Sequence, residues 1–100
     1  MSTEKRVLII EDDPIVQKLV AKLVERRGAK ASVHGNALNL SPILKDGLNE
    51  FKLVFLDLIL PDITGWEILQ TIRSKPEFQN LPVIVLTGAI LSPDEKKSIL

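Results

Sequence analysis

Apolar residues fall into three unbroken runs, Val7 to Ile10 (VLII), Leu53 to Leu56 (LVFL) and Val83 to Leu86 (VIVL). None alternates with polar positions. Runs of this kind mark strands buried on both faces, as in a parallel sheet covered by helices. A fourth segment, residues 30–34 (KASVH), does alternate. Lys30, Ser32 and His34 fall on one side, Ala31 and Val33 on the other, and with its lysine the segment predicts an edge strand. Between the runs the period becomes helical. From Pro14 to Arg27 the residues Ile15, Val16, Leu19, Val20, Leu23 and Val24 make one apolar stripe. Asp13 followed by Pro14 reads as an N-cap and a first-turn proline, while Arg26, Arg27 and Gly28 read as stop signals. A second helix is predicted from Thr64, with capping-box spacing to Glu67 and an apolar side of Trp66, Ile68, Leu69 and Ile72. A third is predicted from Ser92, where Ser92, Pro93 and Glu95 repeat the signature. Residues 37–50 read as helical, although Pro42 and Gly47 interrupt them. The order β-α-β-α-β-α-β-α predicts a doubly wound α/β sheet with right-handed crossovers.

Composition narrows this little. The 100 residues allow one domain. Thirteen basic and thirteen acidic side chains cancel, so no charge excess points to nucleic acid. Cysteine is absent, which excludes disulfides and thiolate metal sites. The short apolar run after the N-terminus ends in three acids, unlike a signal peptide, and no run approaches the length of a membrane span. The expectation is a soluble cytoplasmic domain that binds neither nucleic acid nor membrane directly.

The acids change the picture. In open α/β sheets, ligands bind beyond the carboxyl ends of the strands. The first strand ends in Glu11, Asp12 and Asp13, the third at Asp57, and the fourth at Thr87 and Gly88. In this topology these ends are neighbours, so Glu11, Asp12 and Asp57 converge. A carboxylate inside an apolar run costs several kcal/mol unless it is paired, hydrogen-bonded or bound to a cation. Clustered carboxylates also repel one another. Oxygen-only donors favour a hard cation, and Mg²⁺ needs only one or two carboxylates plus waters. A metal beside a buried aspartate suggests phosphoryl chemistry, with Asp57 as a nucleophile that becomes an acyl phosphate. Thr87 can offer its hydroxyl to a phosphoryl oxygen.

Together VLIIEDDP (7–14), LVFLDLILPDITGWEIL (53–69) and PVIVLTG (82–88) resemble the receiver domain of two-component response regulators. The resemblance covers nearly the whole chain and is weakest over 35–52. It implies a flavodoxin-like sheet in the order 2-1-3-4-5. It implies that Asp57 is the phosphoacceptor, and that Glu11 and Asp12 bind Mg²⁺ with Asp12 the direct ligand. Ile59 matches a position that gives the metal its backbone carbonyl, Thr87 the switch hydroxyl, and Pro61 and Gly65 the following loop. The implied partners are a sensor histidine kinase or phosphotransfer protein, and an output domain or downstream protein. The implied role is a phosphoacceptor switch rather than an enzyme, with at most self-phosphorylation from small donors and self-dephosphorylation.

The end of the chain departs from the family pattern. The family's fifth strand and helix, with the lysine that pairs with the phosphoryl group and the aromatic switch residue, have no counterpart within residues 1–100. The expectation is a single receiver domain incomplete at its C-terminal side, with strand 4 left as an edge open to dimerisation or another partner. The alternative is a receiver-like docking module that is never phosphorylated. Haloacid dehalogenase phosphatases need a second aspartate two residues past the nucleophile, where this chain has Ile59. A dinucleotide fold needs a glycine-rich turn after strand 1, where EDDP has none. His34 is expected at the surface and Trp66 in packing.

Overall fold

A computed structural model of the chain describes residues 5–36, 40–60 and 64–86. Its elements are β1 (Arg6–Ile10), α1 (Pro14–Arg26), β2 (Lys30–His34), β3 (Leu53–Asp57), α2 (Gly65–Arg73) and β4 (Val83–Leu86), with short irregular helical turns between β2 and β3 and after α2. The expected helix from Ser92 lies outside the described residues, as do Pro61, Thr87 and Gly88.

The four strands form one parallel sheet in the order β2-β1-β3-β4. The alternating KASVH segment is an edge strand, as its pattern requires. β1 sits inside and is buried on both faces, with Val7 to Ile10 all at or below 6 % exposure. On one face Leu8, Ile10, Val54 and Leu56 pack with Leu40, Leu48, Phe51, Ile68 and Ile72, so α2 and the turn before β3 cover this side. On the other, Val7 and Ile9 pack against Val20 and Val24 of α1, with Leu53, Phe55 and Leu86 at the margin. Helices on opposite faces are what the doubly wound order demands. The expectation of full burial fails for β4. It holds the other edge of the described sheet, and Ile84 is 46 % exposed.

α1 begins and ends on the expected signals. The Asp13 Oδ1 accepts from the Ile15 N–H at 2.9 Å, and Pro14 occupies the first turn. Gly28 adopts φ +82°, and the N–H groups of Gly28 and Ala29 donate to the Glu25 and Val24 carbonyls, a Schellman closure. The apolar stripe of α1 divides in a way the sequence does not announce. Val20 and Val24 are buried, but Ile15, Leu19 and Leu23 stand 70 %, 59 % and 58 % exposed. A helix turns 100° per residue, so a stripe this wide needs two neighbours, and the described sheet supplies one.

Two other expectations change in detail. Residues 43–47 wind as a π turn and 48–50 as a 3₁₀ turn rather than a regular α-helix. Buried Leu40 and Leu48 anchor the ends of this segment, while Gly47 between them lowers helical propensity. Trp66 is 44 % exposed, so Ile68 and Ile72 carry the packing of α2 without it. Thr64 caps α2, its Oγ1 accepting from the Glu67 N–H at 3.3 Å.

Candidate functional site

β1 and β3 are adjacent and parallel, with Ile10 opposite Leu56, so their carboxyl ends open side by side. Glu11 follows β1 directly and Asp57 closes β3. Each is only 5 % exposed, whereas Asp12 is exposed. One carboxylate oxygen from each of Glu11, Asp12 and Asp57 lies within 4.8 Å of the others. The structure thus brings together the three acids the sequence singled out. Asp13 stands apart as the cap of α1.

Several contacts hold these groups in place. The Ile59 N–H donates to Asp57 Oδ1 at 3.0 Å, which anchors the carboxylate from its own chain. The Asp13 N–H donates to Glu11 Oε1 at 3.2 Å, and the Glu11 N–H donates to the His34 carbonyl at 3.0 Å. Ile59 forms an antiparallel bridge with Thr64, and the Gly65 N–H donates to the Leu58 carbonyl at 2.9 Å. Gly65 then has no room for a side chain. A Cβ there would stand closer than 3.0 Å to Asp57 O, Leu58 Cα and Asp57 C. Helix α2 therefore starts against the backbone of the central carboxylate. Ile59 is 54 % exposed, and its contact with Asp57 is made by its backbone N–H.

The electrostatics follow from this crowding. The Glu11 carboxyl is pushed up from its ordinary 4.5 to about 7. Burial away from water is the largest cause, followed by hydrogen bonding to Asp57; the negative charges of Asp57 and Asp12 add to it, and the bond from Asp13 opposes it. Glu11 therefore gives up its proton nearer neutrality than an ordinary glutamate does. A divalent cation among these oxygens would relieve the same repulsion. The donor set, three carboxylates without histidine or cysteine, fits a hard cation. His34, beyond the opposite end of Glu11's peptide, is half-buried; burial lowers its pKa, and its Nε2 lies 3.0 Å from Ser32 Oγ. It is less of a surface residue than its position on an edge strand suggests.

Compared with known proteins, the response regulator receiver domain family matches residues 7–99 of this chain. The chain belongs to the receiver domain family. A receiver of the Colwellia psychrerythraea DNA-binding response regulator superposes with a TM-score of 0.77 at 30 % identity, covering 96 % of this chain and 77 % of that one. The phosphorylated cyanobacterial phytochrome response regulator RcpA shares the fold, with a TM-score of 0.77 at 24 % identity over 97 % of this chain and 74 % of that one. Among sequences, the polar-differentiation response regulator DivK of Brucella anthropi is 27 % identical over 93 % of this chain and 74 % of its own length. The cyclic-nucleotide phosphodiesterase regA of Dictyostelium discoideum is 28 % identical over 83 % of this chain, which spans 10 % of that protein. The four described strands in the order 2-1-3-4 are thus those of a flavodoxin-like receiver, a domain of two-component signalling. Among the described residues, no helix is long and apolar enough to cross a membrane.

One residue at the receiver's acidic loop escapes sequence reading. The Gln17 Nε2 donates to the Glu11 carbonyl oxygen. A polar residue on the first turn of a helix is ordinary, and only the fold shows where its amide goes.

Proposed function

We propose that this receiver takes a phosphoryl group onto Asp57 from the phosphohistidine of a sensor kinase or a phosphotransfer protein, and relays the change to an output domain or partner. The observation that carries the reading is a buried aspartate at a strand end, anchored by the Ile59 N–H and flanked by two further carboxylates. An Asp57 oxygen attacks phosphorus, the phosphorus–nitrogen bond to the donor imidazole breaks, and an acyl phosphate forms. The anchor from Ile59 fixes the carboxylate's orientation before attack, which is the orienting part of such catalysis. Asp12, Asp57 and the Ile59 carbonyl, with Glu11 beside them, would hold Mg²⁺, which would neutralise the phosphoryl oxygens. A Glu11 carboxylate joining such a site would have to be deprotonated, because metal ligation requires deprotonated oxygens. In this reading Thr87 supplies the switch hydroxyl, and the domain works in the cytoplasm as a switch rather than on a turning-over substrate.

Incubation with radiolabelled acetyl phosphate and Mg²⁺ tests the reading. Wild type is expected to take up a label that survives acid and is lost in base. Asp57→Asn is expected to take up none. Equal labelling of the two would reassign the acceptor. A wild type that never labels, from acetyl phosphate or from a phosphorylated histidine donor, would favour the docking module.

A further inference from the structure

We infer that Gln17 is a positioning residue for the acidic loop, setting the tilt of the peptide that joins Glu11 to Asp12. The inference rests on the reading of that loop as a cation site, and it concerns a side chain that touches none of the proposed ligand atoms. The Glu11 carbonyl belongs to the same planar unit as the Asp12 N–H, so a donor fixed on that oxygen fixes the direction in which Asp12 leaves β1. Gln17 Nε2 is that donor. The preceding peptide is held independently, by the Glu11 N–H on the His34 carbonyl at 3.0 Å. The Gln17 backbone is itself fixed, its N–H donating to the Asp13 carbonyl at 2.9 Å in the first turn of α1. The loop is thus tied at one end to the sheet and at the other to the helix.

Gly35, just past β2, completes the arrangement. A Cβ at Gly35 would lie 3.4 Å from Gln17 Nε2, 3.8 Å from the Glu11 carbonyl oxygen and 4.0 Å from Asp12 Cα. An alanine fits there at ordinary contact distance, but a branched side chain would reach into the Gln17 amide. Three segments therefore meet on one hydrogen bond: the end of β1, the first turn of α1 and the turn after β2. Asp12 is the exposed member of the acidic trio and has no burial to hold it, so its placement depends on this peptide more than that of Glu11 or Asp57.

Outer-shell partners of metal ligands typically change affinity by about 10- to 100-fold when removed. Gln17→Met keeps the length of the side chain and removes the donor. The test is a Mg²⁺ titration followed by calorimetry and Trp66 fluorescence, on wild type, Gln17→Met, Gly35→Ala, Gly35→Val and Asp12→Ala. Each protein's metal-free melt and the Asp12 amide resonance are recorded alongside. Mg²⁺ affinity is expected to fall roughly tenfold in Gln17→Met and in Gly35→Val, and to hold in Gly35→Ala. The Asp12 amide is expected to shift in the first two variants before any metal is added. A Gln17→Met protein with wild-type affinity and an unmoved Asp12 amide would overturn the inference. So would a fall in melting temperature with affinity unchanged, which would make Gln17 structural only. If Gln17→Met does not fold, Gly35→Val decides by the same two readouts. If wild type and Asp12→Ala respond identically to Mg²⁺, the cation reading itself has failed, and the metal-free Asp12 resonance still judges the role of Gln17.

Discussion

At the scale of single residues, the site's chemistry is set by Glu11 and Gly65 as much as by Asp57. Glu11 is raised from 4.5 to about 7 in the folded protein. Between those values the folded state holds more protons than the unfolded one, so the stabilisation is complete below about 4.5 and is lost as pH rises through 7. One pKa unit corresponds to ~1.4 kcal/mol, so this group favours the acid end by roughly 3 kcal/mol. His34 opposes it, because burial depresses its pKa and stability is lost as pH falls below the ordinary histidine range. Chemical unfolding from pH 5 to 8 in metal-free buffer should separate the two. Wild type minus Glu11→Gln is expected to lose stability with rising pH; a flat difference would show that Glu11 is not raised. Gly65 makes a steric demand. With Asp57 O and Leu58 Cα in the way, Gly65→Ala is expected to cost about 1–3 kcal/mol as overpacking and to slow labelling of Asp57. An unchanged melt and labelling rate would show that α2 can step aside. The sequence displayed Glu11, Asp12 and Asp57 because acids at the ends of apolar runs are visible in one dimension. It could not display Gln17, whose role depends on where a first-turn amide meets a carbonyl six residues back.

At the scale of elements, the strands and α1 were legible because their signals are local: unbroken Val/Ile/Leu runs, a capping aspartate, a glycine at positive φ. The segment from 40 to 50 was less so, because buried Leu40 and Leu48 pull it inward while Gly47 permits a wider turn, and no local signal ranks these effects. The connection from α2 to β4 was not legible at all. It is organised by one cation: Arg73 Nη1 donates to the carbonyls of Phe78, Gln79 and Leu81, at 2.9, 3.2 and 2.7 Å. Hydrogen bonds to charged groups each contribute roughly 1.5–3 kcal/mol. These three share one nitrogen and are partly wet, so Arg73→Met is expected to cost about 2 kcal/mol in all. For a domain of this size that lowers the melting temperature by roughly 8–16 °C. A shift under about 2 °C would mean that water replaces the guanidinium without loss.

At the scale of the whole molecule, the sheet order was legible because alternating strands and helices leave few topologies open. As the open edge at strand 4 led one to expect, the described elements cover the two faces unevenly. Beside α1 a cavity of about 470 Å³ opens over Val7, Val24, Leu53 and Phe55, with Lys5, Arg27 and Lys52 at its rim. Ile15, Leu19 and Leu23 continue the apolar surface along the helix, and Ile84 extends it at β4. Contiguous apolar surface of this kind drives association. The 100-residue chain is expected to elute from size exclusion above its monomer mass, and Leu19→Glu with Leu23→Glu to return it toward monomer. A monomer with a cooperative, high-temperature melt would refute this.

The tight start of α2 has a further, mechanical consequence. Gly65 rests on the Asp57 carbonyl, its N–H is tied to Leu58, and Thr64 is bridged to Ile59, whose own N–H holds the Asp57 carboxylate. The end of β3 and the head of α2 are therefore tied to each other through these contacts. The Asp57 carboxylate is held by the Ile59 amide, and the Ile59–Thr64 bridge leads from there to the head of α2. A displacement of the Asp57 carboxylate is thus expected to reach the first turn of α2, where Trp66 is exposed, by way of the Ile59–Thr64 bridge.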